Sequence, residues 1–298
     1  MTMSQSAGEI HLRRTTLVVP ANKPSMIAKA AGTDADVLML DMEDAVAYTE
    51  DDKRGAQEAI LAARQTVDFR DKEVIIRVNA LGSPWIEGDI QAALEFQPRA
   101  IVPPKLTGPD DIRSIERHLT AFGASNDLHL WAGLETVSAV MRSDEIAQAS
   151  PRIEVLRFGF GDYIESMQGQ FTDSLEILVF PLTKVLATAR MLGIMATGPA
   201  VVFGDIKRLD LVRSMSLFMR QLGYDGATVV HPTHIAEANA VFTPSQEEID
   251  WALQQEKALA DAHGKAAIVI DGRLVEMVNI KLARRTLGIA RKLGLVTS

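Results

Sequence analysis

One stretch decides the fold: residues 128–163 read LHLWAGLETVSAVMRSDEIAQASPRIEVLRFGFGDY. It contains two short apolar runs, LHLWA (128–132) and VLRFG (155–159), on either side of a longer segment with helical spacing. Apolar runs with little polar alternation are typical of strands that are buried on both faces of a parallel sheet. The stretch therefore predicts a β-α-β unit, and Glu135 and Asp162 follow its two strands.

The same alternation of strand and helix patterns extends over most of the chain. Apolar runs predict eight strands, at residues 16–19, 37–41, 74–78, 100–103, 128–132, 155–159, 194–197 and 227–231. Eight β-α repeats in about 220 residues match a TIM (β/α)₈ barrel in number and in length. A doubly wound α/β sheet is the alternative, but its glycine-rich first turn is missing, since this turn reads VVPANKP. We expect an α/β fold with a barrel at 13–232 and a C-terminal helical arm or lid at 233–298.

Composition excludes several classes of protein. The chain has 298 residues, 47% of them hydrophobic, and a formal net charge of -8 without any run of lysine or arginine, which argues against nucleic-acid binding. It has no cysteine, so thiolate metal sites and thiol nucleophiles are excluded. No apolar stretch reaches about 18 residues, and the first residues do not resemble a signal peptide. We expect a cytoplasmic protein with no membrane partner.

Polar side chains follow nearly every predicted strand. In a (β/α)₈ barrel the catalytic residues lie at the carboxyl ends of the strands, which form one rim. The candidate residues of this rim are Asp41, Glu43, Asp44, Arg77, Pro104, Lys105, Glu135 and Asp162. Random solvated loops would not place such residues at so many strand ends, so we interpret the rim as a functional site.

Glu135 and Asp162 are the candidate metal ligands. They lie one β-α unit apart, so parallel strands would bring both carboxylates to the same end of the sheet. Two hard oxygen donors with open positions between them suit Mg²⁺ or Mn²⁺, which keeps water ligands and also binds substrate. The structural alternatives are a glutamate that interacts with a helix dipole and an aspartate that caps a helix.

Other charged residues have two interpretations each. Arg77 faces inward in VIIRVN as a substrate or oxyanion contact, or it forms a salt bridge to Glu43 or Asp41. Glu43 accepts a hydrogen bond from water on the metal, or it belongs to a structural ion pair. Lys105 binds substrate or is merely solvated. Arg14, just before the first strand, contacts an anion or closes the barrel bottom by pairing with a carboxylate.

Several segments of the chain, taken in their order, resemble the HpcH/HpaI aldolase and citrate lyase β-subunit family. This family includes malyl-CoA and citramalyl-CoA lyases. The resemblance covers about residues 13–280. The matching segments are RRTTLVVPANKPSMIAKA, DVLMLDMEDAV, VIIRVNALGSPW, AIVPPK, GLET, FGFGDY and GYDGATVVHP. The combination of LDMEDAV, IRVN, GLET and FGFGD is specific to this family.

The resemblance implies a TIM barrel and a Mg²⁺-dependent carbon–carbon lyase. It implies that Glu135 and Asp162 hold the metal, and that Arg77 contacts the oxygen on which negative charge develops. The implied partners are a keto acid and an acyl-CoA, with the CoA thioester as substrate rather than cofactor. The implied assembly is a homo-oligomer, a trimer or hexamer, in which the C-terminal segment covers a neighbour's site.

The chain departs from the family pattern at three places, the first of which is the loop VVPAN, where a glycine often follows the proline. Glu276 in DGRLVEMVN stands where the thioester lyases usually carry an aspartate on the lid, so we expect it to act as acid or base. Ser166 stands where many members have a second aspartate. Two alternatives to the lyase therefore stay open: malate synthase-like or thioesterase-like hydrolysis of an acyl-CoA, and a non-catalytic accessory subunit.

Overall fold

Eight parallel strands close into a barrel. The structure, a computed structural model, describes residues 11–173, 175–200, 206–261 and 267–296. The strands follow chain order around the barrel, and β1 pairs with β8 to close it. They are β1 (Thr15–Pro20), β2 (Val37–Asp41), β3 (Glu73–Arg77), β4 (Ala100–Val102), β5 (His129–Leu134), β6 (Ile153–Phe158), β7 (Met195–Pro199) and β8 (Gly226–Val229). The TIM-barrel prediction is confirmed, and all eight predicted strands overlap an observed strand.

The side chains of each strand alternate between the barrel interior and the helix layer. One apolar cluster contains strand residues only, so it fills the interior; it comprises Val37, Met39, Ile75, Ala100, Val102, Trp131 and Val155. The larger cluster joins the other strand positions, such as Leu38 and Leu156, to the surrounding helices. This alternation places Asp41, Arg77 and Arg157 on the inward-facing side, since they follow Met39, Ile75 and Val155 by two positions.

Helices surround the barrel. They are α1 (Pro24–Ala31), α2 (Glu50–Thr66), α3 (Ile86–Phe96), α4 (Pro109–Ala121), α5 (Val137–Met141), α6 (Ser143–Ala147), α7 (Phe160–Ser166), α8 (Glu176–Leu192), α9 (Leu209–Leu222) and α10 (His234–Phe242). Local sequence explains their starts: Thr49 caps α2 by accepting a hydrogen bond from the N–H of Asp52, and acidic residues fill the first turn of that helix.

Arg13 closes the amino-terminal end of the barrel. Its guanidinium pairs with Glu73 at 2.9 Å and with Glu154 at 2.5 Å, and it lies 4.9 Å from the centre of the Trp131 ring. The arginine is almost fully buried, and a buried charge is tolerated only when it is paired. This end of the barrel is therefore built for stability, which leaves the opposite rim for chemistry.

The remaining residues form a second unit with its own small core. It contains α11 (Gln246–Asp261), a hairpin of β9 (Ala267–Ile270) and β10 (Arg273–Glu276), and α12 (Met277–Lys292). The predicted turn at Asp271-Gly272 is confirmed: both residues have positive φ, as a two-residue hairpin of type I′ requires. Helices α11 and α12 pack through Ile249, Ala252, Ala283, Leu287 and Ala290.

The boundary between the two units differs from the predicted one. The chain divides between Phe242 and Thr243, rather than after residue 232. The reason is that α10 packs against α9 and β8, and so forms the helix of the eighth β-α unit. Among the described residues, no helix is both long and apolar enough to cross a membrane.

Candidate active site

The strand ends bring together most of the charged residues that the sequence predicted for the rim. These residues lie at the end of β2 and just after it, at the end of β3, after β4, after β5, and in the first turn of α7, which follows β6. Ion pairs link Asp41, Glu43, Asp44, Arg77, Lys105, Glu135, Arg157 and Asp162 into one network. We call this set the rim network.

Arg77 is fixed by a buried carboxylate. Its Nε donates to Asp41 Oδ1 at 2.8 Å and its Nη2 to Asp41 Oδ2 at 2.6 Å. Asp41 also accepts hydrogen bonds from the backbone N–H groups of Glu43 and Ala45. Burial opposes ionisation of Asp41, but the charge and hydrogen bonds of Arg77 outweigh it and lower the pKa of Asp41. Asp41 thus holds one edge of the guanidinium, and Nη1 lies 3.0 Å from Glu43 Oε2 and 3.9 Å from Glu135 Oε1.

Glu43 is buried between two cations. Its carboxylate lies 3.0 Å from Arg77 Nη1 and 2.8 Å from Lys105 Nζ, and the residue is 1% exposed. Burial raises the pKa of Glu43 to about 7. The charge of Arg77 lowers this pKa, whereas the charges of Glu135 and Asp44 raise it. A carboxyl with this pKa changes its protonation state near neutral pH.

Glu135 is held on both carboxylate oxygens. Oε1 accepts a hydrogen bond from Arg157 Nη1 at 2.6 Å, and Oε2 accepts one from the backbone N–H of Lys105 at 3.3 Å. Gly159 makes room for this side chain, because a Cβ at that position would lie 2.3 Å from Glu135 Cγ. Glu135 is 1% exposed, and its orientation is set by Lys105 after β4, Arg157 in β6 and Gly159 after β6.

Asp162 is the more open of the two candidate metal ligands. Its side chain is 37% exposed, and its Oδ1 lies 3.8 Å from Lys105 Nζ. Burial and the charge of Glu135 raise the pKa of Asp162. Asp162 therefore ionises less readily than an aspartate in water, mainly because it is partly buried.

The donor set fits a hard divalent cation. The rim network contains five carboxyl groups and three cationic groups, which is a formal excess of two negative charges when every carboxyl is ionised. One divalent ion supplies that charge, and carboxylate oxygens are the ligands that Mg²⁺ prefers. Within the described ranges, no group of three or more His, Cys, Asp or Glu side chains forms a complete metal site. Glu135 and Asp162 would supply two oxygen ligands to such an ion and leave its other positions to water and substrate.

Two further residues belong to the site although the sequence reasoning missed them. Arg157 contacts Glu135, as described above, and its inward register on β6 is the same signal that identified Arg77 on β3. Lys53 of α2 is fully buried, and its Nζ donates to the carbonyl oxygens of Met42 and Glu43 and to Asn79 Oδ1, at 2.7 to 2.8 Å. Lys53 thereby fixes the loop that carries Glu43.

Arg14 lies outside the rim network. It precedes β1 and pairs with Asp36, which precedes β2, through Nη2–Oδ1 at 2.8 Å and Nε–Oδ2 at 2.9 Å. Residues that precede parallel strands lie at the amino-terminal end of the barrel, opposite the rim. The expectation that Arg14 contacts an anion in the active site is therefore wrong, and its clamp on a carboxylate is the arrangement observed.

Pro104 belongs to the barrel unit, whereas Glu276 belongs to the second unit. Pro104 is buried, and its Cα packs close to Gly133, where a Cβ would lie 3.1 Å away. Glu276 lies at the junction of β10 and α12. The backbone N–H of Glu276 donates to Asn279 Oδ1 at 2.8 Å, which fixes the start of α12. Glu276 is exposed.

Comparison with known proteins gives consistent results. The family model described as "HpcH/HpaI aldolase/citrate lyase" matches residues 14–232. A (3S)-malyl-CoA thioesterase from Cereibacter sphaeroides is 32% identical over 97% of this chain and 98% of its own length. An L-malyl-CoA/beta-methylmalyl-CoA lyase from Rhodobacter capsulatus is 30% identical over 94% of this chain and 95% of its own.

A solved structure shares the fold. The CitE protein from Mycobacterium tuberculosis, in complex with magnesium, acetoacetate and coenzyme A, superposes with a TM-score of 0.76 at 23% identity. The match covers 93% of this chain and 98% of that one. The family model and the relatives extend over most of the chain, and the barrel agrees with them. The protein belongs to the HpcH/HpaI aldolase/citrate lyase family.

Proposed function

We propose that the protein is a Mg²⁺-dependent carbon–carbon lyase that cleaves a hydroxyacyl-CoA or a related hydroxy acid by a retro-aldol or retro-Claisen reaction. The observation that carries the proposal is the rim network, in which two oxygen-donor carboxylates adjoin a fixed arginine and the formal excess is two negative charges. The lyase relative from R. capsulatus supports the reaction class. The magnesium and coenzyme A in the CitE structure support the ligands.

In this proposal Glu135 and Asp162 hold Mg²⁺, and Mn²⁺ is an acceptable substitute. When bound, the ion polarises the substrate oxygens and stabilises negative charge on them. Arg157 and the backbone N–H of Lys105 keep Glu135 oriented toward the site. The CoA thioester is part of the substrate and is not a cofactor.

Arg77 supplies fixed positive charge. Asp41 holds its Nε and Nη2, so the guanidinium does not need to reorganise during the reaction. We assign Nη1 to the substrate oxygen on which negative charge develops as the carbon–carbon bond breaks. Lys105, and with it Pro104, remains a predicted substrate contact.

Glu43 is the proposed proton-exchanging group. Cleavage removes the proton of the substrate hydroxyl, breaks the adjacent carbon–carbon bond to form the keto acid, and returns a proton to the carbon of the acyl-CoA enolate. A carboxyl whose pKa burial raises to about 7 accepts and returns a proton near neutral pH. By the family resemblance, we assign Glu276 as a second acid or base on a lid that a neighbouring subunit supplies.

Hydrolysis of the acyl-CoA thioester is the second candidate function. The specific observation that favours it is the (3S)-malyl-CoA thioesterase, which is similar to this chain over 97% of its length. In this reaction water attacks the thioester carbonyl, and the products are free CoA and the hydroxy acid. Negative charge again develops on an oxygen, so the same arginine and the same metal ligands would serve.

Product analysis tests both functions. The purified protein is incubated with Mg²⁺ and malyl-CoA or citramalyl-CoA, and the products are separated by chromatography. A lyase yields acetyl-CoA and a keto acid, whereas a thioesterase yields free CoA and a hydroxy acid. If neither these two substrates nor a wider panel of hydroxyacyl-CoAs and hydroxy acids is converted, both proposals are contradicted and the non-catalytic accessory role is favoured.

We also propose that the protein is a cytoplasmic homo-oligomer, a trimer or hexamer. Large apolar side chains of the C-terminal unit are exposed, among them Val269, Leu274 and Leu282, each with 60% or more of its surface accessible. Exposed apolar patches of this kind mark interaction surfaces. Size-exclusion chromatography with light scattering measures the state directly, and a monomer would contradict the proposal.

A further inference from the structure

Lys105 lies among carboxylates that come from two other strand ends. Its Nζ is 2.8 Å from Glu43 Oε1, 3.0 Å from Asp44 Oδ1 and 3.8 Å from Asp162 Oδ1. An ammonium group has three donors, so one lysine can bridge all three side chains. It therefore links the loop after β2 to the start of α7.

The backbone of Lys105 takes part in the same arrangement. Its φ is +50°, in the left-handed region that favours glycine, and it directly follows Pro103 and Pro104. In this conformation its N–H donates to Glu135 Oε2 at 3.3 Å, while its side chain extends to Glu43. This conformation costs free energy for a residue other than glycine, and residues strained in this way cluster at functional sites. One residue thus contacts Glu135 through its backbone and approaches Asp162 through its ammonium.

Lys105 is the most exposed cation of the rim network. The side chains of Arg77 and Arg157 are each 9% exposed and are tied to Asp41 and Glu135. The side chain of Lys105 is 31% exposed and carries its charge on a flexible stem. Without this lysine, five carboxylates would face two guanidinium groups. Lys105 is therefore the cation that can adjust when another positive charge enters.

We propose that Lys105 is a built-in counter-cation of the metal site. Before a divalent ion binds, its ammonium holds Asp162 close to Glu43 and Asp44 and limits their mutual repulsion. Its charge then opposes the incoming ion, so Lys105 sets the affinity for Mg²⁺. It acts through the carboxylates and is a positioning residue. This inference rests on the proposed metal site at Glu135 and Asp162.

Metal binding without substrate tests the inference. Calorimetry with Mg²⁺ is performed on the full-length metal-free protein and on the variants Lys105→Met, Lys105→Gln and Lys105→Arg. The two neutral variants should bind Mg²⁺ about tenfold more tightly, because one neighbouring positive charge is gone. Lys105→Arg keeps the charge and should keep the affinity. Without metal, the neutral variants should melt at a lower temperature than the wild type. Addition of Mg²⁺ should raise their melting temperature more than it raises that of the wild type.

Lys184→Met is the matched control. The side chain of Lys184 has nearly the same exposure, 32%, and pairs with a single carboxylate, that of Asp144, at 3.3 Å in the helix layer. It should leave the Mg²⁺ affinity unchanged. Equal or weaker Mg²⁺ binding by folded Lys105→Met or Lys105→Gln would overturn the inference.

The failure of this inference is distinguishable from the failure of the metal site. If Glu135→Gln abolishes Mg²⁺ binding while both neutral Lys105 variants bind as the wild type does, the metal site stands and the role of Lys105 is refuted. If Glu135→Gln binds Mg²⁺ with wild-type affinity, the metal site itself is refuted, and the inference about Lys105 with it.

Discussion

Replacing Gly159 by alanine tests whether the position of Glu135 matters for function. A Cβ at this position would lie 2.3 Å from Glu135 Cγ and 2.6 Å from Oε1. The backbone of Gly159, with φ −101° and ψ 116°, is open to any residue, so the substitution acts through this contact alone. Ordinary contact with a Cβ begins near 3.4 Å, so Glu135 has to move by about 1 Å.

A displacement of this size is expected to lower turnover about 100-fold, because catalytic groups tolerate little misplacement. It should also weaken Mg²⁺ binding, since one ligand leaves its position. The assays are calorimetry with Mg²⁺ and steady-state kinetics with the substrate that product analysis identifies. Thermal melting shows whether Gly159→Ala is folded.

Gly55→Ala is the matched control. Gly55 lies inside α2, and apart from its chain neighbours and the nearby backbone of its own helix, no atom lies within 4 Å of an added Cβ. Alanine is preferred to glycine inside a helix by about 1 kcal/mol, so this variant should be as stable as the wild type or more so. Its Mg²⁺ affinity and turnover should not change. Wild-type Mg²⁺ affinity and turnover in folded Gly159→Ala would refute the reasoning.

Other variants test the groups around the metal ligands. Asp41→Asn removes the charge that orients Arg77, and kcat should fall about 100-fold with little change in KM; an unchanged kcat in steady-state assays would argue against this role. Lys53→Met removes the ammonium donor from three buried oxygens, of which the Met42 carbonyl keeps a hydrogen bond from Asn79 Nδ2 and the Glu43 carbonyl keeps one from the backbone N–H of Val46. The free energy of unfolding in urea should therefore fall by about 3 kcal/mol; a loss below about 1 kcal/mol would be inconsistent with that account. In the metal-free protein the pKa of Glu43, about 7 in the folded state, exceeds its ordinary value of 4.5, so the folded state binds this proton more tightly. The stabilisation is present below the ordinary pKa and is lost as pH rises through about 7. Glu43→Gln should therefore lose less stability than the wild type between about pH 5 and pH 8, and identical losses would contradict the shift.

Much of the barrel follows from the sequence because its strands are buried on both faces. Apolar runs such as VLMLD at 37–41 stand out against the helical segments, and the observed β2 has the same limits. The end of the barrel was harder to predict, because the last β-α unit has no strand after it. Helix α10 completes the ring of helices, and the count of eight repeats already required a helix at that place.

The candidate site was predictable in part, for a geometric reason. Residues after a strand share one rim, which placed Glu135 and Asp162 near each other. Arg14 precedes its strand, so chain direction alone assigns it to the opposite end, and the sequence contained that signal. The pairing of Arg157 with Glu135 could not be predicted, since it depends on the reach of the side chain inside a closed barrel.

Lys53 illustrates a different kind of signal. In α2 it shares a helical face with Ala56, Ile60 and Ala63, all of them buried. A lysine on the apolar face of a helix is almost never fully buried unless its charge is paired with a buried partner. The periodicity of α2 could thus have identified Lys53 as a special residue. Its acceptors could not have been predicted, because the Met42 and Glu43 carbonyls are directed by the conformation of the loop.

The most direct test of the central claim is the binding of Mg²⁺ to the metal-free protein, measured by calorimetry for the wild type, Glu135→Gln and Asp162→Asn. We predict one Mg²⁺ site per chain in the wild type and a loss of binding in each variant, with melting profiles that show both variants to be folded. Wild-type Mg²⁺ affinity in both folded variants would contradict the claim that these two carboxylates form the metal site.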